Sequence, residues 1–364
     1  MTLEALRAQL DEVDRAILEK LAERLQLVDE VKRAKHASGK PAFDRARERE
    51  VMEAAEARAA DLDVPAPLVR TVFSALLEAS HTRQEASSLE TRRLLLVGGR
   101  GRMGRLLADQ FTRRGHAIDV LEKDDAVERS RIEAADIVVI AVPMTDAARV
   151  TAELAPLVRE DALLCDINSL KREVCSELRA CRGEALGTHP MFGPTVGSLR
   201  RQKIVVCRVK PGPMSQWLEA ELGRMGAELV ESDPDTHDRM MAVVQVLTHF
   251  GILVMGQALA KSGVPLAETL RYMSPIYRLE VSIVGRLFSQ APELYREILM
   301  TNPAGAAYRE LFVSEARELA AMIARGDGDA FVARFREASA FFAEFSREAM
   351  TLSDQIIDTV MSRP

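Results

Sequence analysis

The chain has little cysteine and none of the cysteine patterns that bind metals or form redox pairs. Its 364 residues contain four cysteines and no C-x-x-C spacing. The spacing of His237 and His249 does not suit a metal ion either. We therefore expect no metal site. The four thiols should be reduced and packed, in a protein of the cytoplasm: Cys165, Cys175, Cys181 and Cys207.

An excess of positive charge is missing as well. Lys and Arg number 49 against 55 Asp and Glu, so the net charge is -6 and gives no support for nucleic-acid binding. No apolar run approaches the roughly 18 residues of a membrane span. The start of the chain, Met1–Glu4, lacks the basic and then apolar pattern of a signal peptide. These absences predict a soluble protein with neither nucleic acid nor a membrane as partner.

Glycine and proline are scarce over residues 1–88, which form the first predicted domain. This stretch has one glycine, Gly39, and three prolines, at positions 41, 65 and 67. Because glycine and proline interrupt helices, their placement predicts an all-α domain of three helices, over about 3–37, 44–61 and 65–86.

Two further domains follow a linker at 84–90. Residues 92–232 alternate β-rich and helical runs, which predicts an α/β Rossmann-type parallel sheet. The strand candidates are 93–97, 117–121, 136–142, 162–167, 203–208 and 227–231. Residues 233–364 are rich in Ala, Leu, Met and Phe and predict a second all-α domain. The chain is therefore expected to be multidomain.

A glycine-rich loop, G-x-G-x-x-G, follows the first strand candidate and precedes a helical run. This context indicates a dinucleotide site. Gly99 would allow a tight turn, Gly101 would let the backbone approach a pyrophosphate, and Gly104 would let helix and strand pack closely. Arg102 and Met103 stand within the loop, where the helix begins.

The acidic residue Glu122 ends the next strand candidate, 18 residues after Gly104. A carboxylate there would bind the ribose hydroxyls of NAD and repel the 2′-phosphate of NADP. The cations Arg100, Arg102 and Lys123 lie close enough in sequence to weaken that preference. The predicted cofactor is NAD.

The first helix carries two cations on an otherwise apolar line. Arg24 and Lys35 fall on the same seam as Leu3, Leu6, Leu10, Val13, Ile17, Leu21, Val28 and Val31. A buried cation costs several kcal/mol unless an anion meets it. Either these side chains reach solvent or pair with an acid, or they line a pocket for an anionic ligand. The helix would be about 50 Å long, which favours an intertwined dimer.

Polar residues also occupy the other two predicted helices at positions where a pocket could open. Asp44, Arg47 and Glu48 open the second helix, and such a charge run forms either a solvated face or part of a site. In the third helix, Ser80 and Gln84 follow apolar residues on one face.

These residues carry a resemblance to a known family. Residues 3–84, with Asp11-Glu12-Val13-Asp14 and Leu21-Ala22-Glu23-Arg24, resemble the all-α chorismate mutase domain. The whole chain resembles the T-protein family of bifunctional chorismate mutase/prephenate dehydrogenases. The resemblance implies that the last domain is a dimerisation domain. It also implies a mutase site made of Arg7, Arg24, Lys35, Asp44, Arg47, Glu48, Ser80 and Gln84.

The resemblance assigns roles within that site. Arginine forks would bind the two carboxylates of chorismate, with Arg7 reaching into the pocket of the partner subunit. Lys35 and Gln84 would donate to the ether oxygen of the breaking bond, and Glu48 would bind the ring hydroxyl. The rearrangement is pericyclic and needs no nucleophile or cofactor.

A second set of residues resembles the prephenate dehydrogenase motifs. His189 lies in Gly187-Thr188-His189-Pro190-Met191-Phe192-Gly193-Pro194, and Ser169 lies in Asp166-Ile167-Asn168-Ser169-Leu170-Lys171. A lone histidine before proline is more often structural. By resemblance, however, His189 accepts the proton of the C4 hydroxyl of prephenate as hydride leaves for NAD, and Ser169 orients His189 or contacts the substrate.

The resemblance extends to the last domain. His249 would approach the substrate, whereas His237 would be mainly structural. Arg286 would bind the ring carboxylate of prephenate, and Arg278 is a weaker candidate. The alternative for either arginine is a surface ion pair.

The resemblance implies an enzyme of tyrosine biosynthesis that turns chorismate into prephenate and prephenate into 4-hydroxyphenylpyruvate. It also implies a homodimer and feedback inhibition by L-tyrosine. Two other hypotheses stay open at this stage. One is a dehydrogenase of different specificity, such as an arogenate dehydrogenase. The other is a non-enzymatic helical dimerisation module joined to an NAD-responsive domain.

Overall fold

The computed structural model describes residues 2–37, 45–84, 90–125 and 128–361. The contacts divide the chain into two compact units. The first runs to Asn168 and continues over Val174–Ser232, so it contains the N-terminal helices and the sheet. The second consists of Ser169–Glu173 and the chain from Asp233 onward.

Three helices form the start of the first unit: α1 (Leu3–Ala37), α2 (Arg45–Asp61) and α3 (Ala66–Gln84). Their bounds lie within two residues of the predicted ones. A small apolar core of Ala55, Ala59 and Val69, with Phe73 packed against it, joins α2 to α3. In α1, Val28 is buried, but residues 2–20 are all exposed. The chain therefore leaves more than half of its longest N-terminal helix uncovered.

A seven-stranded sheet forms the rest of the first unit, in the order β2-β1-β3-β4-β5-β6-β7. The strands are β1 (Arg93–Val97), β2 (Ala117–Leu121), β3 (Ile137–Ile140), β4 (Leu163–Asp166), β5 (Glu184–Pro190), β6 (Lys203–Lys210) and β7 (Glu228–Glu231). The first five strands run parallel to one another, as predicted.

The far edge of the sheet departs from the sequence prediction. β6 pairs antiparallel with β5, with His189 opposite Val205, and β7 then runs parallel to β6. β5 itself was not among the strand candidates. Its sequence, EALGTHP, has one β-branched residue and includes glycine and proline, so it lacks the composition typical of a strand. The sheet is therefore mixed at this edge and parallel elsewhere.

Helices cover both faces of the sheet: α4 (Arg102–Arg113), α5 (Arg129–Ala134), α6 (Met144–Leu154), α7 (Arg172–Leu178) and α8 (Pro213–Arg224). Two apolar clusters fill these layers. Side chains of one strand alternate between them, so that Leu95 and Val138 lie in one cluster, and Leu94 and Ile137 in the other. Burial on both faces explains the continuous apolar runs of the central strands.

The second unit is helical: α9 (Pro234–Met241), α10 (Thr248–Lys261), α11 (Leu266–Thr269), α12 (Pro275–Phe288), α13 (Pro292–Thr301), α14 (Gly305–Ala324) and α15 (Gly328–Met361). A π-helical segment, Ala242–Leu247, joins α9 to α10. The 34-residue α15 has no buried residue in the single chain. It carries exposed Phe335, Phe341 and Phe342.

The continuous helical stretch Pro234–Lys261 contradicts the expectation about apolar runs. By length and composition it is apolar enough to cross a membrane. Residues 242–260 contain no charged side chain. Gln245, Thr248 and His249 interrupt the apolar residues, which is why the sequence showed no unbroken run. Length and composition alone do not make this helix a membrane span.

All four cysteines are free and buried, as expected. Burial raises the pKa of the Cys181 thiol, which keeps it protonated at neutral pH. Within the described part of the chain, no group of three or more His, Cys, Asp or Glu side chains is arranged to hold a metal ion.

Candidate active sites

The glycine-rich loop joins β1 to α4 and is shaped by close backbone contacts. Gly98 takes the left-handed conformation, with φ +81°, and a Cβ there would lie 2.8 Å from the oxygen of Ala141. The N–H of Gly101 donates to the oxygen of Gly98 at 3.0 Å, so the tight turn spans both Gly98 and Gly99, and a Cβ on Gly99 would lie 2.8 Å from the Cβ of Leu96. A Cβ on Gly104 would lie 2.6 Å from the Cα of Gly99, so the first turn of α4 packs directly on the loop.

The N-terminus of α4 is open for an anion. Its N-cap residue, Gly101, has no side chain that could bond the first N–H groups of the helix. These groups, together with the helix dipole, favour a phosphate. Arg102 is exposed and Met103 is half-buried at this end of the helix. The loop therefore fits the pyrophosphate of a dinucleotide.

The carboxylate of Glu122 lies beside the loop. Its Oε1 accepts a hydrogen bond of 2.6 Å from the backbone N–H of Arg100. The backbone N–H of Glu122 in turn donates to Asp125. These hydrogen bonds hold the Glu122 carboxylate in place at the end of β2, which is the strand next to β1. A carboxylate at this place can accept hydrogen bonds from ribose hydroxyls.

His189 lies near the end of β5 and is buried. The adjacent Thr188 donates from its hydroxyl to the backbone oxygen of Asp166, at the end of β4. The carboxylate of Asp166 accepts from the backbone N–H of Asn168 at 2.8 Å. Because β4 and β5 are parallel neighbours, these residues meet at the carboxyl edge of the sheet, where open α/β sheets bind ligands.

Asn168 is a candidate that the sequence analysis did not single out. It is buried, and its side-chain nitrogen has no hydrogen-bond partner among the described residues. A buried amide donor without a partner is costly unless a ligand or water meets it. Only its position two residues after the end of β4 could have indicated this from the sequence.

In the second unit, Asp238 holds the short segment that carries Ser169. Its carboxylate accepts from the backbone N–H of Lys171 at 2.8 Å and from that of Arg172 at 3.0 Å. Nδ1 of His237 lies 2.8 Å from Oδ1 of the same carboxylate. Burial acts to raise the pKa of Asp238, but these hydrogen bonds outweigh it and lower the pKa below its usual range. The buried His237 therefore supports this structural contact.

His249 packs against Tyr295 in the second unit. The two rings meet edge to face, with 5.2 Å between centroids. Burial lowers the pKa of His249, so its imidazole is neutral at neutral pH. Its Nδ1 is buried without a hydrogen-bond partner in the described part of the chain. Burial raises the pKa of Tyr295, while the exposed Arg286 acts in the opposite direction.

The predicted dehydrogenase residues are divided between the two units. The nucleotide loop, Glu122 and His189 belong to the first, whereas Ser169, His249 and Arg286 belong to the second. The chain passes from one unit to the other directly between Asn168 and Ser169.

In the helical part of the first unit, the structure brings Arg24 and Ser80 together. Nη1 of Arg24 donates to the hydroxyl of Ser80 at 2.6 Å and to the backbone oxygen of Leu76 at 3.2 Å. Burial lowers the pKa of Arg24, which remains charged at neutral pH. A charged guanidinium is therefore fixed between α1 and α3, as a site for a carboxylate requires.

The remaining predicted mutase residues have different surroundings. Glu48 binds Arg200, a residue of the sheet-containing part that the sequence analysis did not single out. Lys35 is half-buried, whereas Arg7 and Arg47 are exposed, and Arg47 pairs with Glu50. Asp44 and the side chain of Gln84 lie outside the described part of the structure.

Three family models match the chain in the order that its domains predict. The model described as "Chorismate mutase type II" matches residues 6–85. The model of the prephenate dehydrogenase nucleotide-binding domain matches 108–211, starting after the glycine-rich loop. The model of the prephenate dehydrogenase dimerization domain matches 233–337.

Two relatives described as T-proteins align with the chain over nearly their whole length. The chain is 35% identical to the T-protein of Enterobacter agglomerans over 370 residues, which cover 100% of this chain and 99% of the relative. It is 31% identical to the T-protein of Haemophilus influenzae, over 98% of this chain and 96% of the relative.

Among solved structures, the fold is similar to that of prephenate dehydrogenase from A. aeolicus in complex with hydroxyphenyl propionate and NAD+. The TM-score is 0.57 at 19% identity, covering 71% of this chain and 99% of the other.

The chain combines a helical domain that holds Arg24 in place, a dinucleotide-binding sheet and a second helical domain. This combination defines an enzyme with two activities. The chain belongs to the T-protein family. It is a bifunctional chorismate mutase/prephenate dehydrogenase of tyrosine biosynthesis, with a nucleotide cofactor for the second reaction.

Proposed function

We propose that the first reaction takes place in the helical domain, with Arg24, Lys35 and Glu48 as its central residues. The bond from Arg24 to Ser80 carries this proposal, because it fixes a partly buried guanidinium that can bind one carboxylate of chorismate. Lys35 and Gln84 donate to the ether oxygen, on which charge develops as the bond breaks. Glu48 accepts a hydrogen bond from the ring hydroxyl. Asp44 and Arg47 also bind the substrate.

The domain needs a second copy of the chain for a complete site. Arg7 lies on the exposed half of α1, where Leu3, Leu6 and Leu10 are 64%, 44% and 63% exposed. An apolar seam of this size indicates a protein partner. In a homodimer, the seams of two α1 helices cover each other, and Arg7 enters the partner's pocket. The uncovered apolar surfaces of α10 and α15 supply a second contact between the same two chains.

For the second reaction, the cofactor is NAD. The turn at Gly98, the packing of Gly104 on Gly99 and the open N-terminus of α4 fit its pyrophosphate. Glu122 binds the ribose hydroxyls and disfavours a 2′-phosphate. When bound there, NAD would supply the hydride acceptor for oxidation at C4 of prephenate.

The protein residues of this reaction bind the substrate and move one proton. Nε2 or Nδ1 of His189 accepts the proton of the C4 hydroxyl as the C–H bond breaks. Ser169 orients this histidine or contacts the substrate, His249 approaches the ring, and Arg286 binds the ring carboxylate. Oxidation makes a ketone at C4. Loss of carbon dioxide then moves the electrons of the broken C–C bond through the ring to the C4 oxygen, which takes up a proton. The ring becomes aromatic, so the product is 4-hydroxyphenylpyruvate.

L-Tyrosine inhibits the second activity in this proposal. It shares with the product a phenol and a carboxylate, so it presents the groups that the prephenate site binds. Adding tyrosine to the prephenate reaction at several prephenate concentrations tests this point.

The first experiment is NADH production by the purified chain from chorismate and NAD, with no other enzyme present. A signal requires both activities in one chain. Silence with chorismate but a signal with prephenate would contradict the mutase site. Arogenate as substrate, and NADP in place of NAD, test the two specificities separately.

A further inference from the structure

An ion pair joins the mutase helices to the sheet-containing part of the first unit. Nη2 of Arg200 lies 2.8 Å from Oε1 and 2.7 Å from Oε2 of Glu48, although 152 residues separate the two. The side chains are only 16% and 12% exposed. A pair so shielded from solvent interacts more strongly than an exposed one.

The backbone around Arg200 is held in place. Leu199, directly before it, is fully buried in the core of the sheet. Arg201, directly after it, takes a left-handed conformation with φ +59°, and its N–H donates to the oxygen of Gly226 at 2.8 Å. A Cβ on Gly226 would lie 3.1–3.3 Å from the Cα, Cβ and Cγ of Arg200. The stem of the arginine therefore lies directly against the backbone after α8.

The contact between Arg200 and Glu48 is compatible with a hydrogen bond from a substrate to the same Glu48 carboxylate. An ionised carboxylate has about four acceptor positions, and one nitrogen that approaches both oxygens uses at most two of them. A charge-assisted bond also holds the carboxylate in one orientation, as acceptance from a substrate hydroxyl at a fixed place requires.

We propose that Arg200 is a positioning residue of the chorismate mutase site, contributed by the dehydrogenase part of the chain. Through Glu48, it fixes the group that accepts from the ring hydroxyl of chorismate. This inference rests on the role proposed above for Glu48. It means that the mutase site is incomplete in the helical domain alone, so the two activities share one chain for a structural reason.

The test compares Arg200→Gln, Arg200→Lys and Glu48→Gln in the full chain, together with the double variant. Chorismate consumption and NADH production from prephenate are both measured. We expect Arg200→Gln to lower mutase kcat roughly 10-fold with a smaller change in KM, since a lost hydrogen bond to a charged group has about this effect. Arg200→Lys should recover part of the loss. In the Glu48→Gln background, Arg200→Gln should lower mutase kcat only slightly further.

Arg208→Gln is the matched control, because Arg208 lies on the following strand and pairs with Glu219 and Glu231. It should leave mutase turnover unchanged. An unchanged mutase rate in Arg200→Gln, or the same loss with and without Glu48, would overturn the positioning role. So would a gain in mutase rate, which would make the pair an inhibitory contact. If Glu48→Gln itself is as active as the wild type, the proposed site fails, whatever Arg200 does.

Discussion

At the scale of single residues, the two activities should be separable by one substitution each. Lys35→Ala removes a cation from the mutase pocket, and we expect mutase turnover to fall at least about 100-fold, as for other donors to a developing charge. Prephenate oxidation should be spared. His189→Asn removes the proton acceptor and should lower hydride transfer about 100-fold or more, while the mutase is retained. Steady-state assays with chorismate and prephenate measure both; equal loss of the two activities in either variant would indicate misfolding or a shared site.

We expect one side chain to set the cofactor preference as well. Glu122→Gln keeps a hydrogen-bonding group beside Arg100 but removes the negative charge that opposes a 2′-phosphate. The ratio of kcat/KM for NAD to that for NADP should fall on the order of 10-fold, or about 1.4 kcal/mol. Asp124→Asn, which removes a charge from the exposed turn two residues later, is the control. No change in the ratio would remove Glu122 from cofactor selection.

At the scale of elements, Asp238 anchors the segment 169–173 to α9 in the second unit. Asp238→Asn would place an N–H group against a backbone N–H, so we expect a loss of about 1–3 kcal/mol in stability at pH 7. Prephenate oxidation should fall because Ser169 loses its support, while the mutase is spared. Asp235→Asn, which breaks an exposed pair with Arg172, should cost less than about 1 kcal/mol.

The pH dependence of this loss has a definite sign. The pKa of Asp238 is lower in the folded protein than in the unfolded chain. The contribution of Asp238 to folding stability is therefore fully present above its pKa of about 3.9 in the unfolded chain. This contribution is lost as the pH falls through its pKa in the folded protein. Urea unfolding midpoints of wild type and Asp238→Asn should differ equally at pH 7 and pH 5 and converge below about pH 4. If the difference between the two unfolding midpoints stays constant at acid pH, the carboxylate is not the stabilising group.

The elements also show what the sequence could and could not predict. The three N-terminal helices were predictable because long runs without glycine or proline leave few alternatives. β5 was missed because burial between two strands, and not its composition, makes EALGTHP a strand. The role of Gly98 was missed because the motif starts one residue later. Arg200 and Glu48 could not be paired at all, since no local pattern relates residues 152 positions apart.

At the scale of the whole molecule, the length of α1 connects assembly to activity. Its 35 residues extend beyond what the other two N-terminal helices cover, and Val13 and Ile17 are more than half exposed in the single chain. Burying this seam against a second copy removes apolar area from water on both chains at once. In the proposed homodimer, the same contact would bring Arg7 to the mutase site of the partner chain.

A charge placed on the seam should therefore affect the mutase first. Leu10→Glu would bury an unpaired carboxylate in the proposed contact, at a cost of several kcal/mol. We expect mutase turnover to fall at least about 10-fold. Prephenate oxidation should persist, because the contact through the last domain is unchanged. Ala8→Glu adds the same charge to the opposite face of α1 and should leave both activities intact. Sedimentation measured beside the two assays decides the outcome, since an undisturbed dimer with an active mutase in Leu10→Glu would exclude this seam as the interface.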